Sequence, residues 1–371
     1  MDEKARISPF HLGTLFVTVT LTGLLHQPTV AVESAGRMAW AVSVLSGAAG
    51  LLIIHLVGRL GLRFPDETLV GYASRILGRP AGKLLGLILV LVFALNSGAE
   101  IRMAIKSAVG VFFITTPTLV IAVLMTLTAL MVGWHGVVTA SRLGPLLVGS
   151  TFVVFFLTFP LLWRWMQPGY LIPLWEFSEI QFRSRPFWVA VFGLRVGALL
   201  AAMTPYIDDR RRALRAASAG YLLGWLGNFL AVICPIMVFG PEGARGLSQP
   251  FPYVIAIIRL PNFPFERVEM LARLVFNVGV FYAVGIALNL GGRVAAEVFG
   301  TTRSRPFMLA VAAISLIPSG WIAQEQPGEA AVAWIIIGTA IYLFTVYPLL
   351  WLVYAFRRRA IHAPRAGRRR R

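Results

Sequence analysis

Apolar residues run in long unbroken blocks, separated by short clusters of charged residues, Gly and Pro. The blocks cover about 8–32, 38–58, 84–113, 117–134, 143–163, 187–207, 216–240, 268–292, 306–324 and 330–356. At about 1.5 Å rise per residue, each is long enough to cross roughly 30 Å of hydrocarbon as a helix. Only helices and closed barrels satisfy their own backbone in lipid. Barrel strands alternate apolar and polar positions over about ten residues, and these blocks do not alternate. The pattern predicts an all-α integral membrane protein with ten transmembrane helices. The first block follows Met1-Asp2-Glu3-Lys4-Ala5-Arg6. It is longer than a signal peptide's apolar run and lacks a small-residue cleavage site, so it reads as an uncleaved span.

Composition narrows the class. Of 371 residues 57% are hydrophobic and 13% charged, about half the charge of an ordinary soluble domain. That excludes a soluble enzyme and a disordered basic chain. The net charge of +18, from 34 Lys and Arg against 16 Asp and Glu, is first a question of topology. If the N-terminus is cytoplasmic, 23 of the 34 basic residues fall on the cytoplasmic side. They lie in the terminus, 59–83, 135–142, Asp208–Arg215, Arg293–Arg305 and the tail from Arg357. This bias predicts cytoplasmic N- and C-termini. Trp163, Trp165, Tyr170 and Trp175 then mark the outer interface, Trp351 and Tyr354 the inner one. The transmembrane domain covers 1–358, and 359–371 is a basic cytoplasmic tail. That tail suits anionic lipid or nucleic acid by charge alone. Because Arg357–Arg359 abut a span, it is read as a topological anchor, with membrane lipid but no nucleic acid expected as partner. Cys234 is the one cysteine, so no disulfide can form within the chain.

Two spans carry signals of interruption. The first holds Thr20-Leu21-Thr22-Gly23-Leu24-Leu25-His26-Gln27-Pro28, the sixth Phe192-Gly193-Leu194-Arg195-Val196-Gly197. Gly loosens a helix and Pro removes an amide donor. Paired interruptions five spans apart point to a midplane site between inverted repeats, here about 8–163 and 187–356. Plain helix packing through Gly is the competing reading. Charges inside spans cost roughly 2.5–3.5 kcal/mol on insertion scales, which makes each a functional candidate. Glu100 and Arg195 read as lining a buried polar or solvent-filled path, and Arg195 as a clamp for a ligand carboxylate. Arg102 and Lys106 read as snorkelling near the outer surface, and Glu269 with Arg273 as an i,i+4 pair at a helix end. His11, His26, His55 and His135 are scattered over different spans and turns. No metal-ligand spacing, P-loop or nucleophile elbow occurs, so neither a metal, a cofactor nor an enzyme is expected.

The segment after the second span reads Arg63-Phe64-Pro65-Asp66-Glu67-Thr68-Leu69, then Tyr72, Ile76-Leu77-Gly78 and Gly82-Lys83-Leu84-Leu85-Gly86. It resembles the signature of the endospore germination permease family, the B subunits of spore germinant receptors. Glu33–Trp40, Arg102, Thr116-Pro117, Pro205-Tyr206, Phe265–Glu269 and Val278–Phe281 extend the resemblance over most of the chain. The chain departs from the family pattern at Met103 and near Arg195, where the family often has acidic residues.

The resemblance implies membership of the amino acid–polyamine–organocation superfamily and a LeuT-like 5+5 inverted repeat with helices 1 and 6 broken. It implies a ligand pocket at Thr22, Gly23 and Leu24, at Ser97, Glu100 and Ile101, at Phe192, Gly193 and Val196 beside Arg195, and at Asn277 and Phe281. It further implies a receptor in the spore inner membrane that binds a small nutrient germinant, typically an amino acid, and signals to A and C subunits. The alternative is a secondary amino-acid transporter, with or without proton coupling.

Overall fold

A computed structural model describes residues 6–109, 116–193, 196–259, 268–320 and 325–361. Among them the chain is helical, with one isolated parallel bridge between Ile7 and Ile207. The helices are α1 (Pro9–Leu21), α2 (Gln27–Ala35), α3 (Ala39–Gly61), α4 (Leu69–Leu77), α5 (Arg79–Val109), α6 (Thr118–Trp134), α7 (Val137–Ser141) and α8 (Gly144–Leu162). They continue as α9 (Arg185–Phe192), α10 (Gly197–Met203), α11 (Arg210–Arg245), α12 (Pro250–Ala256), α13 (Val268–Phe299), α14 (Arg305–Gly320) and α15 (Glu325–Ile361).

Local chemistry sets several starts. Ser8 caps α1 by accepting from the His11 amide, with Pro9 in the first turn. Thr68 caps α4 and Ser184 caps α9 in the same way. Asp209 caps α11, its carboxylate accepting from the Arg211 and Arg212 amides at 3.0 and 3.1 Å.

Every apolar block of the sequence carries helix. Six stretches are long and apolar enough to cross a membrane: Gln27–Gly61, Arg79–Val109, Val137–Trp165, Arg210–Arg245, Val268–Phe299 and Gly328–Arg357. The protein is an integral membrane protein. A seventh is the pair α9 and α10, bent by 44°. Pro9–Leu25, α6 and Arg305–Ser319 are shorter apolar helices. The first block does not run straight through: a 3₁₀ turn at Thr22–Leu25 and a non-helical His26 (φ −134°) separate α1 from α2. Gly23 and Pro28 flank this break, and Pro28 sits in the first turn of α2, where no amide donor is missed.

The connections gather at two ends. At one, Arg210 meets Asp66 at 3.3 Å, Arg293 donates to Tyr206 Oη at 3.0 Å, and Arg357 donates to the Ile76 carbonyl at 3.0 Å. This end collects the Arg-rich segments 59–83, 208–215 and 293–305. At the other, Arg37 pairs with Glu179 at 2.9 Å and Glu176 at 3.6 Å, and Lys106 pairs with Glu329 at 2.6 Å.

Between the ends, small residues bring helices together. A Cβ on Gly133 would lie 2.5 Å from the Gly285 carbonyl oxygen, and one on Gly285 would lie 2.5 Å from that of Ala129. Only glycine permits this approach of α6 to α13.

Several features go beyond the apolar pattern. The short helices α4 and α12 lie in connections too polar or too short to register as spans. Helix α11 overruns its block and kinks at Gly240, whose φ of +74° suits glycine. Arg102 does not snorkel: it is buried, against Gly328, while Lys106 reaches the half-exposed Glu329. Arg273 and Glu269 are both buried, and Arg273 donates to the Ser107 carbonyl at 2.7 Å and to Gln249 Oε1 at 3.0 Å. Of the residues singled out in the sequence, Arg195, Phe265, Glu266, Arg267 and tail residues 362–371 lie outside the described residues.

Candidate functional site

The two helix breaks face one cavity. The last turn of α1 and the 3₁₀ turn contribute Thr20, Thr22 and Gly23, and the sixth-span break contributes Gly193 and Val196. Helix α5 supplies Phe93, Asn96, Ser97 and Glu100, helix α13 supplies Ala283, Val284 and Ala287, and α15 supplies Thr339. The space open to the centres of water-sized spheres is about 80 Å³. One water needs about 10–15 Å³ on that measure, so the cavity suits a small molecule. Beyond His26, toward the Arg37 end, lies a larger cavity of about 370 Å³ on the same measure. Leu25, His26, Glu33, Lys106, Arg185 and Glu329 are among its walls.

The freed backbone at the breaks is answered by neighbouring amides. Asn228 of α11, fully buried, donates to the Thr20 carbonyl at 2.9 Å and to the Gly224 carbonyl at 3.0 Å. Thr20 and Thr22 return their own hydroxyls to the Phe16 and Val19 carbonyls. Asn96 is held by α5 and α15 together: its Nδ2 donates to the Val92 carbonyl and to Thr339 Oγ1, both at 2.7 Å. That fixes Asn96 Oδ1, which is buried without a hydrogen-bond partner, as is Ser97 Oγ on the next residue. A buried polar atom left over in this way is an available contact for a ligand. Glu100 is the ionisable side chain among the described cavity residues, one turn from Asn96. Val19, Val92, Leu199 and Val284 make the rest of the wall apolar. One wall offers an amide oxygen, a hydroxyl and a carboxylate, and the other walls offer hydrocarbon.

Six of the residues expected at a pocket line the cavity: Thr22, Gly23, Ser97, Glu100, Gly193 and Val196. Leu24 and Ile101 are fully buried elsewhere in the core. Phe192 stacks on Trp188 at 5.9 Å and faces a separate small crevice. Asn277 donates back to the Arg273 carbonyl on its own helix at 2.8 Å. Phe281 packs against the core, and the contribution of α13 comes instead from Ala283, Val284 and Ala287. Arg195 is outside the described residues. Thr339 and Phe93 are liners that sequence reasoning missed, because neither stands out from its apolar block.

Comparison with known proteins places this architecture. Among solved structures, a manganese transporter of Eremococcus coleocola superposes with a TM-score of 0.59 at 17% identity, covering 93% of this chain and 78% of that one. Mhp1, a nucleobase-cation-symport-1 family transporter, gives a TM-score of 0.60 at 14% identity over 96% of this chain and 80% of its own. Both are LeuT-fold transporters, and the likeness is one of fold. Among sequences, spore germination protein YndE of Bacillus subtilis (strain 168) is 22% identical over 344 residues, 89% of this chain and 91% of that protein. Spore germination protein KB of the same organism is 22% identical over 292 residues, 77% of each chain. The model of the spore permease family, described as "Spore germination protein", matches residues 6–327, and this chain belongs to that family.

Proposed function

We propose that this protein is the B subunit of a spore germinant receptor, which binds a small nutrient such as an amino acid in the cavity between the two helix breaks. The observation that carries the reading is the meeting of Gly23 and Gly193, five spans apart in sequence, on one small cavity with unpartnered Asn96 Oδ1 and Ser97 Oγ. Ten spans in two inverted repeats account for the six long stretches, the bent pair and the shorter apolar helices. The Arg-rich end then faces the cytoplasm with both termini, in the spore inner membrane. Ligand binding favours one arrangement of the bundle by its differential affinity for that state. That shift is passed to A and C subunits without covalent chemistry.

A secondary amino-acid transporter is the second reading, favoured by the transporter neighbours and by the larger cavity beyond His26, on the Arg37 side of the small one. Deleting the gene separates the two. A receptor subunit predicts loss of germination to a subset of nutrients with bulk amino-acid uptake intact. Normal germination to every nutrient with loss of uptake of one amino acid would overturn the receptor reading.

A further inference from the structure

Gln27 is the first residue of α2, immediately after the break in the first span, and its side chain is fully buried. Its Nε2 donates to the Ala190 carbonyl in the last turn of α9 and to Ser46 Oγ of α3 at 3.3 Å. The Ala190 carbonyl falls among the last four of its helix, which have no intrahelical amide to accept from. The glutamine thus answers in one broken helix a backbone group that ends in the other. Its remaining atom, Oε1, is buried without a hydrogen-bond partner. That oxygen lies 2.4 Å from where a Cβ on Gly193 would stand, and Gly193 lines the cavity. Ser46 extends the junction, since its carbonyl accepts from Tyr221 of α11 at 3.0 Å.

We infer that Gln27 is a positioning residue that latches the two helix breaks to each other, so that movement of Gly193 at the cavity is transmitted to α2, α3 and α9 as one body. Three features converge on this. The amide bridges three helices at a point where two of them have lost their own hydrogen bonding. Gly193 has no side chain because the space is taken by the latch, so the sixth-span break cannot shift toward α2 without displacing Gln27. The unpartnered Oε1 gives the latch a second position at little cost, because a buried acceptor gains whenever a donor comes within reach. The role as a sensor junction rests on the ligand-binding reading above; the mechanical coupling does not.

The test is a double-mutant cycle read by thiol accessibility in the full chain, reconstituted in nanodiscs. Ser97→Cys reports the cavity, and the native Cys234 is 1% exposed and serves as the silent background. The probe is a membrane-impermeant methanethiosulfonate. Gln27→Met, which keeps length and loses the donor, should change the modification rate at least fivefold. Gly193→Ala should move the rate in the same direction, since its Cβ must expel Oε1. On a Gln27→Ala background, Gly193→Ala should add clearly less than it does on the parent, because the obstructing amide is gone and only the Val189 carbonyl, 2.9 Å from the Cβ position, remains in its way. Ser46→Ala, a gentler change that removes one of the two acceptors, should give a smaller shift of the same sign and covers the case in which Gln27→Met fails to insert. Independent multiplicative effects of the Gln27 and Gly193 substitutions, or rates within twofold of the parent for Gln27→Met or, failing its insertion, for Ser46→Ala, would overturn the latch. None of these outcomes depends on the nutrient, so the latch and the receptor reading fail separately.

Discussion

Asn228 offers the sharpest test of why the first span stays broken. Its amide is fully buried and donates to the Thr20 carbonyl at 2.9 Å, in the last turn of α1, where the α-helical i+4 amide gives way to a local contact from the Thr22 amide. Replacing Asn228 with Leu keeps a side chain of similar size and removes the donor. Interhelical hydrogen bonds in membranes average about 0.6 kcal/mol and reach about 1.7. A stranded buried carbonyl costs about 1–3 kcal/mol where nothing relaxes to meet it. The Thr20 carbonyl is left with only its strained local options, so a loss of about 1–2 kcal/mol is expected, close to tenfold in the folding equilibrium. The assay is reversible unfolding of the full chain in mixed micelles, titrated with denaturing detergent. A loss below about 0.3 kcal/mol would refute the argument, because it would mean that the break satisfies its own backbone.

Other predictions follow from the same geometry. Lys106→Met breaks a 2.6 Å ion pair whose side chains are 42% and 56% exposed; exposed pairs are worth about 1 kcal/mol or less, so the melting temperature should barely move, and a loss above about 2 kcal/mol would show that the pair is buried in the working state. Gly285→Leu forces a side chain against the Ala129 carbonyl, 2.5 Å from the Cβ position, and overpacking of this kind costs about 1–3 kcal/mol; an unchanged detergent-denaturation midpoint would contradict the close approach of α6 and α13. Glu67, in the connection between α3 and α4, has its carboxyl pushed above the ordinary 4.5 by burial, against the opposing pull of Arg75. A carboxyl raised in the folded state gives stability that is full below its unfolded pKa and falls as pH rises through the folded value. Glu67→Gln should therefore flatten the decline of melting temperature with pH just above 4.5, and an unaltered slope would rule the group out.

The helical character was legible in the sequence because lipid leaves the chain little choice. A block too apolar for water and too long for a strand must be helical, and each block carries helix among the described residues, the first and sixth in two pieces. The breaks were legible from Gly23 with Pro28 and from Gly193 with Gly197, residues that weaken helices whatever surrounds them. The cavity was readable only in part. Gly23, Gly193, Ser97 and Glu100 announced themselves as small or polar residues in apolar blocks. On α13 the same logic led to Asn277, which spends its donor on its own helix, while the cavity takes Ala283 and Ala287 about two and three turns later. Thr339 gave no signal, because its role comes from Asn96 across the bundle, and partners distant in sequence are not written in local pattern. The burial of Arg102 was hidden for the same reason: Gly328, which makes room for its guanidinium, is 226 positions away.

The central claim is that a nutrient binds where the two breaks meet. It is tested most directly by equilibrium binding of radiolabelled amino acids, one at a time, to the purified full chain and to its Gly23→Leu variant in nanodiscs. The account predicts saturable binding of at least one amino acid at one site per chain, lost at least tenfold in the variant while membrane insertion and melting temperature are kept. Equal affinity of both proteins for that amino acid would place the site elsewhere and contradict the account.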